Sequence, residues 1–154
     1  WIFLWQYSLL VLSLPVIVVF LLGLIMIYTR LGIGKTQVPL REKLAIHTPF
    51  SVYLGWITIA TIANVAVAAV SVNWDGFGIN PETWAILIII IALLLTLIVT
   101  ATRKEIAYGL VIIWALIGII SKQTNTNIIT TAEVSAVIIL IAIVAIAILT
   151  KLKK

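Results

Sequence analysis

Five long apolar stretches dominate this sequence and restrict the folds that it can adopt. They cover about residues 8–29, 50–71, 83–101, 105–121 and 132–150. As helices rising ~1.5 Å per residue, they are long enough, or nearly so, to cross the ~30 Å hydrocarbon core of a bilayer. Backbone amides in lipid must be paired within their own segment, and these stretches lack the apolar–polar alternation of barrel strands. We therefore predict an all-α polytopic transmembrane bundle of about five spanning helices, in a single domain over residues 1–154.

The composition excludes the other common classes of protein. Of the 154 residues 64% are hydrophobic, ten are Lys or Arg, five are Asp or Glu, and the mean hydropathy is +1.29. A soluble domain is about 45–50% apolar and about 25% charged, and a disordered chain needs low hydrophobicity. The absence of cysteine excludes disulfides, thiolate-bound zinc and iron–sulfur clusters.

The first residues and the polar residues between the stretches predict where helices begin. The opening Trp1–Trp5 has no Met and no basic region before it, so it is not typical of a signal peptide. We expect it to be the end of an earlier helix whose beginning lies upstream. Four positions match helix-start patterns: Thr48-Pro49 and Asn80-Pro81, each an N-cap residue before Pro, and Thr102–Glu105 and Thr130–Glu133, each a capping box.

The basic residues predict an orientation in the membrane. Nine of them share one side of a five-span topology, and only Lys122 lies on the other. These nine are Arg30, Lys35, Arg41, Lys43, Arg103, Lys104, Lys151, Lys153 and Lys154. By the positive-inside rule, we expect an integral membrane protein with its C-terminus and basic loops on the cytoplasmic, or equivalent, side. Because the cations are spread over short loops without aromatic platforms, no nucleic-acid partner is expected.

The two longer loops carry further content. Residues 38–47 place Leu40, Leu44 and His47 on one helical face, which predicts a short helix at the membrane interface. His47 is the only imidazole, and hence only a weak candidate as axial ligand of haem or chlorophyll. We expect it to be a solvated interfacial side chain, and we predict no metal site. The aromatic residues of 72–84 indicate an interface anchor, with a lid over a ligand pocket as the alternative.

One stripe of side chains on the second helix could bind a ligand. At about 100° per residue, Tyr53, Trp56, Ala60 and Asn64 fall within roughly 80° of each other. Trp and Tyr offer stacking faces, Ala60 permits close approach, and a mid-membrane Asn is costly unless its amide finds a partner. Interhelical packing explains the same stripe without a ligand, and it is also the interpretation favoured for Trp114 with its neighbouring small residues.

The pattern Tyr53-Leu54-x-Trp56-x-Thr58-x-Ala60-Thr61-x-x-Asn64 resembles the fifth transmembrane helix of the TspO/MBR family, the tryptophan-rich sensory proteins related to the mitochondrial translocator protein. The opening Trp1–Trp5 is similar to the end of that family's third helix, and residues 8–29 then correspond to its fourth. The resemblance implies a five-helix membrane bundle that binds porphyrins and other apolar ligands. It also implies that Tyr53, Trp56, Ala60 and Asn64 line the pocket wall.

The remainder of the chain resembles a longer bacterial branch of the same family. The segments that carry this likeness are Arg30–Gly34, Asn73–Gly78 and Ile106–Leu110. The resemblance implies a TspO-like part over residues 1–70 and three additional helices over residues 71–154. The family's first two helices and most of its third are expected to lie outside this sequence.

The chemistry available to the chain argues against an enzyme. It holds no Ser-His-Asp set, no paired carboxylates and no glycine-rich phosphate loop. We expect a non-enzymatic protein, with a sensory or receptor role, that binds a flat apolar ligand such as a tetrapyrrole (porphyrin or haem). The alternative is a structural or assembly subunit of a larger membrane complex, contacting pigments or lipids. A transporter is less favoured, because no charged residue lies in the middle of a span. The expected partners are the bilayer, an apolar small molecule, and a second copy or a larger membrane complex.

Overall fold

Seven α-helices form the part of the chain that the computed structural model describes, residues 1–152 for the backbone and 1–150 for the side chains. They are α1 (Ile2–Gln6), α2 (Leu10–Arg30), α3 (Leu40–Glu42), α4 (Thr48–Ser71), α5 (Pro81–Arg103), α6 (Ile106–Lys122) and α7 (Thr126–Leu152). A π turn (Lys43–His47) joins α3 to α4, and a 3₁₀ turn (Gly76–Gly78) lies before α5. Residues 1–152 contain no strand, so the predicted all-α class is confirmed.

Within the described residues, four helices are long and apolar enough to cross a membrane: α2, the continuous Leu40–Ser71 segment, α5 and α7. The fifth apolar helix, α6, has 17 residues and is therefore about 25 Å long, at the lower limit for a span. The protein is thus a polytopic helical bundle. Its α6 is the shortest of the five predicted spanning helices.

The helix α4 lies in the middle of the bundle. It packs against α2 on one side and α6 on the other, while α7 packs against both α5 and α6. Residues 31–47, the α5–α6 turn and the end of α7 together form what we call the basic end. Residues 72–80, the α1–α2 junction and the α6–α7 loop form the opposite end.

Isoleucine fills much of the core where these helices meet. Ile17, Ile57, Ile112 and Ile139, one each from α2, α4, α6 and α7, are at most 2% exposed. Glycine permits a close approach of α4 and α6, because a Cβ at Gly55 would lie only 3.2 Å from the Cβ of Val111. Many large apolar side chains remain exposed on the outer faces, as expected of a surface that contacts lipid tails.

The helix start predicted at Asn80-Pro81 is confirmed, whereas Thr48 does not act as the predicted N-cap before Pro49. The Oδ1 of Asn80 accepts a hydrogen bond from the Thr83 amide at 2.8 Å and caps α5. Thr48, in contrast, lies inside a helix that runs on from Leu40 through the π turn. Pro49 has no N–H to offer to the preceding turn, and the wider π turn directly before it accommodates that loss.

Both predicted capping boxes are also wrong. The helix α5 continues through Arg103, and the Thr102 hydroxyl donates to the carbonyl of Ile98 at 2.6 Å. The helix α7 starts at Thr126 rather than after Thr130, because Asn125 supplies the cap. Its Oδ1 accepts from the amide of Asn127 at 2.9 Å and from that of Ile128 at 3.2 Å.

Candidate ligand-binding groove

An aromatic groove of about 500 Å³ lies on the outer surface between α4 and α6. It is lined by Pro49, Phe50, Val52, Tyr53, Trp56, Val111 and Trp114. These lining residues are apolar apart from the phenol and the two indole N–H groups. Because five of the seven come from the first turns of α4, the groove lies toward the basic end of the bundle.

A pair of indoles forms the wall of the groove. The rings of Trp56 and Trp114 lie 5.3 Å apart between centroids, with their planes inclined by 39°. Gly55 makes this pairing possible, since its missing side chain lets α6 approach α4 next to Trp56. Trp114 follows Val111 by one turn on the same face of α6, so the close contact at Gly55 brings the two indoles together.

Tyr53 lies one turn before Trp56 and is held by α2. Its ring forms a T-shaped pair with that of Phe20, with centroids 5.5 Å apart and planes at 74°. This geometry is favoured between aromatic rings because the positive edge of one faces the negative face of the other. Tyr53 is nevertheless 44% exposed, so part of its ring is free to contact a ligand.

The structure places Asn64 away from the groove. Asn64 is 1% exposed, and its Oδ1 accepts hydrogen bonds from Trp5 Nε1 at 2.7 Å and from Ser13 Oγ at 3.0 Å. It therefore joins α1, α2 and α4, the arrangement expected from interhelical packing. Its Nδ2 is buried and has no hydrogen-bond partner among the described residues.

The predicted stripe is thus divided between two environments. Tyr53 and Trp56 border the groove, whereas Ala60 is half-buried against the core and Asn64 lies at the helix junction. A ligand role for Ala60 and Asn64 stays a prediction. Trp114, which sequence reasoning assigned to packing, is 61% exposed and borders the groove. Its place depends on which helix pairs with α4, and no local pattern in the sequence carries that information.

The expectation of a solvated His47 is wrong. The π turn carries this side chain inward, where it is 3% exposed and lines a second cavity beside the α5–α6 turn. His47 does not border the aromatic groove. In the part of the chain described by the structure, no three His, Cys, Asp or Glu residues are grouped to hold a metal ion.

The aromatic residues of the 72–84 loop form a cluster at the opposite end. The ring centroid of Trp74 lies 5.2 Å from that of Phe77 and 5.3 Å from that of Trp84, and Trp84 Nε1 donates to the Gly76 carbonyl at 2.9 Å. Residue 72 is about 24 Å from Trp56 along the axis of α4. The cluster therefore does not cover the groove, and its position fits an interface anchor.

Apolar helices around a shared core, with an aromatic groove on the outer surface, define an integral membrane protein of the helical-bundle class. A family model described as TSPO-like protein matches residues 1–148. The chain therefore belongs to the TSPO-like family, and the predicted relationship is confirmed. The match continues past residue 70 through α5, α6 and most of α7. Neither the curated proteins nor the solved structures compared with the chain gave a match.

Proposed function

We propose that this protein is a non-enzymatic membrane binding or sensory protein whose aromatic groove takes a flat apolar ligand, a tetrapyrrole such as protoporphyrin IX or haem. The observation that carries the proposal is the Trp56–Trp114 pair in an apolar groove of about 500 Å³. Membership of the TSPO-like family supports it, because the TspO/MBR proteins that the sequence resembles bind porphyrins.

The physical basis of binding is stacking combined with apolar burial. Contacts between aromatic rings contribute about 0.5–1.5 kcal/mol each beyond the area that they bury. Ligand sites are commonly apolar, with a few polar groups that fix orientation. In the groove, the Tyr53 hydroxyl and the two indole N–H groups supply such polar groups. Because the groove opens on the outer face, a ligand reaches it from the bilayer.

The test is a Soret titration of the purified, detergent-solubilised protein with protoporphyrin IX and with haem. We expect a saturable Soret shift for the wild type. Removal of one stacking ring, Trp56→Ala or Trp114→Ala, should weaken the Kd about tenfold, the equivalent of about 1.4 kcal/mol. Trp74→Ala is the matched control, because Trp74 and Trp56 are both 42% exposed and Trp74 lies outside the groove.

The control separates a defined groove from general partitioning into the micelle. If Trp74→Ala weakened binding as much as Trp56→Ala, the tetrapyrrole would be partitioning into the detergent micelle and not binding in the groove. An unchanged Soret spectrum in the wild type would also reject the tetrapyrrole role. That result would favour the alternative of a structural subunit in a larger membrane complex.

A further inference from the structure

A second cavity, of about 730 Å³, lies at the basic end of the bundle. It is bounded by the segment that follows α2, the α5–α6 turn and the end of α7. Four cationic side chains line it: Lys35, Lys43, Arg103 and Lys104. The carboxylate among its lining residues is that of Glu105. The cavity therefore carries a net positive charge and favours an anion.

The Glu105 carboxylate and the Arg103 guanidinium already have partners in the fold. Oε2 of Glu105 accepts a hydrogen bond from Ser51 Oγ at 2.8 Å, which holds this carboxylate toward α4. Arg103 donates from Nη1 to the Ile33 carbonyl at 3.4 Å and lies over the Tyr28 ring, 5.5 Å from its centroid. Arg103 is consequently a cation that the fold holds in place at the edge of the cavity.

His47 adds a hydrogen-bonding side chain to this cavity. It is 3% exposed and lines the cavity beside the cations. The imidazole N–H can donate to an oxyanion there.

The apolar side of the same cavity indicates the kind of anion. Ile106 from the start of α6 and Ile146 from the last turns of α7 line it together with the cations. A small, fully hydrated anion gains nothing from such residues. An anion attached to a hydrocarbon chain can contact the cations with its charged group and the isoleucines with its chain. Basic pockets between spanning helices are known to bind lipid headgroups.

We infer that this cavity binds the phosphate headgroup of an anionic membrane lipid. Lys43, Lys104 and His47 contact the phosphate oxygens, and an acyl chain extends past Ile106 and Ile146 into the bilayer. The site differs from the aromatic groove, which takes its lining from other residues of α4 and α6. The inference does not depend on the proposed tetrapyrrole.

The experiment uses the intact protein in a neutral detergent, titrated with phosphatidylglycerol, phosphatidylcholine or inorganic phosphate, with bound lipid counted by native mass spectrometry. We expect one phosphatidylglycerol to bind saturably and phosphatidylcholine to bind weakly. Inorganic phosphate at the same concentration should not displace the lipid. Lys43→Gln and Lys104→Gln should each weaken the Kd about fivefold, since a lysine near an anionic headgroup contributes about 1 kcal/mol.

Lys122→Gln is the matched control, because it removes one lysine at the opposite end. Equal weakening by Lys122→Gln would show only a general charge effect and would overturn the inference. Displacement of the lipid by inorganic phosphate would assign the cavity to a free anion, and failure of phosphatidylglycerol to saturate would exclude the site. The Soret titration of Lys43→Gln should match the wild type, which keeps this outcome separate from that of the groove.

Discussion

Asn64 shows how a single polar residue can be read in two ways from sequence. A mid-membrane amide needs partners, and a ligand or a neighbouring helix can supply them. In the structure its carbonyl oxygen receives both the Trp5 indole N–H and the Ser13 hydroxyl. The need for a partner could be predicted from the residue type. The identity of the partners could not, because they lie 59 and 51 residues away in sequence.

Replacement of Asn64 by Ala should therefore destabilise the bundle. The change leaves the Trp5 indole N–H without its acceptor, while the Ser13 hydroxyl keeps the Leu10 carbonyl at 2.6 Å. We expect a loss of about 1–2 kcal/mol in the free energy of unfolding. Thermal unfolding in detergent would measure it. In a double-mutant cycle, Ser13→Ala should cost less in the Asn64→Ala background than in the wild type. If Asn64→Ala left the stability unchanged but abolished porphyrin binding, Asn64 would be a ligand-binding residue and not a packing residue.

At the scale of the helices, short sequence patterns predicted a helix start correctly only where one side chain caps the turn that directly follows it. Asn80 was found because an Asn before Pro caps the helix that it starts. The two capping boxes failed because Thr also occurs within helices, where its hydroxyl donates to the carbonyl four residues earlier. Thr102 does so to Ile98, and Thr130 lies inside α7, which starts at Thr126. A four-residue pattern cannot distinguish these two uses.

The contact between α4 and α6 gives a prediction at the same scale. In Gly55→Ala, the new Cβ would lie 3.2 Å from the Cβ of Val111 and 3.3 Å from the Tyr108 carbonyl oxygen. The helices must separate slightly, so we expect a loss of about 1–3 kcal/mol in stability and weaker porphyrin binding, because the Trp56–Trp114 pair opens. Thermal unfolding and the Soret titration would measure both effects.

Gly118→Ala is the matched control for this substitution. Gly118 lies in α6, and a Cβ there would meet nothing within 4 Å. Because Ala has a higher helix propensity than Gly, this variant should be as stable as the wild type or up to about 1 kcal/mol more stable. If Gly55→Ala were equally stable and bound porphyrin like the wild type, the close α4–α6 contact at Gly55 would not determine the shape of the groove.

For the whole molecule, hydropathy sufficed to predict the all-α membrane fold. Backbone groups in the hydrocarbon of a bilayer must be hydrogen-bonded within their own segment, so a long apolar stretch forms a helix there. The apolar stretches alone therefore determine the fold class. The groove, in contrast, depends on α4 pairing with α6 rather than with another apolar helix. All the spanning helices have similar apolar surfaces, and for that reason the place of Trp114 and the burial of His47 could not be read from the sequence.

Orientation is a property of the whole molecule that can be tested directly. The sequence has no cysteine, so single cysteines can be introduced without altering any native thiol. By the positive-inside rule, Lys35→Cys at the basic end should react with a membrane-impermeant maleimide only after permeabilisation. Gln123→Cys at the opposite end should react in intact cells. The reverse labelling pattern would invert the predicted topology.

The separation of the two groove indoles determines how a ring can be held. With centroids 5.3 Å apart and planes inclined by 39°, Trp56 and Trp114 leave no space for a third ring between them. A flat molecule must lie against their outer faces, so its other face stays in the hydrocarbon. Its occupancy should then follow its partition coefficient into the bilayer. Transfer between two copies of the protein becomes lateral diffusion within the membrane, without passage through water.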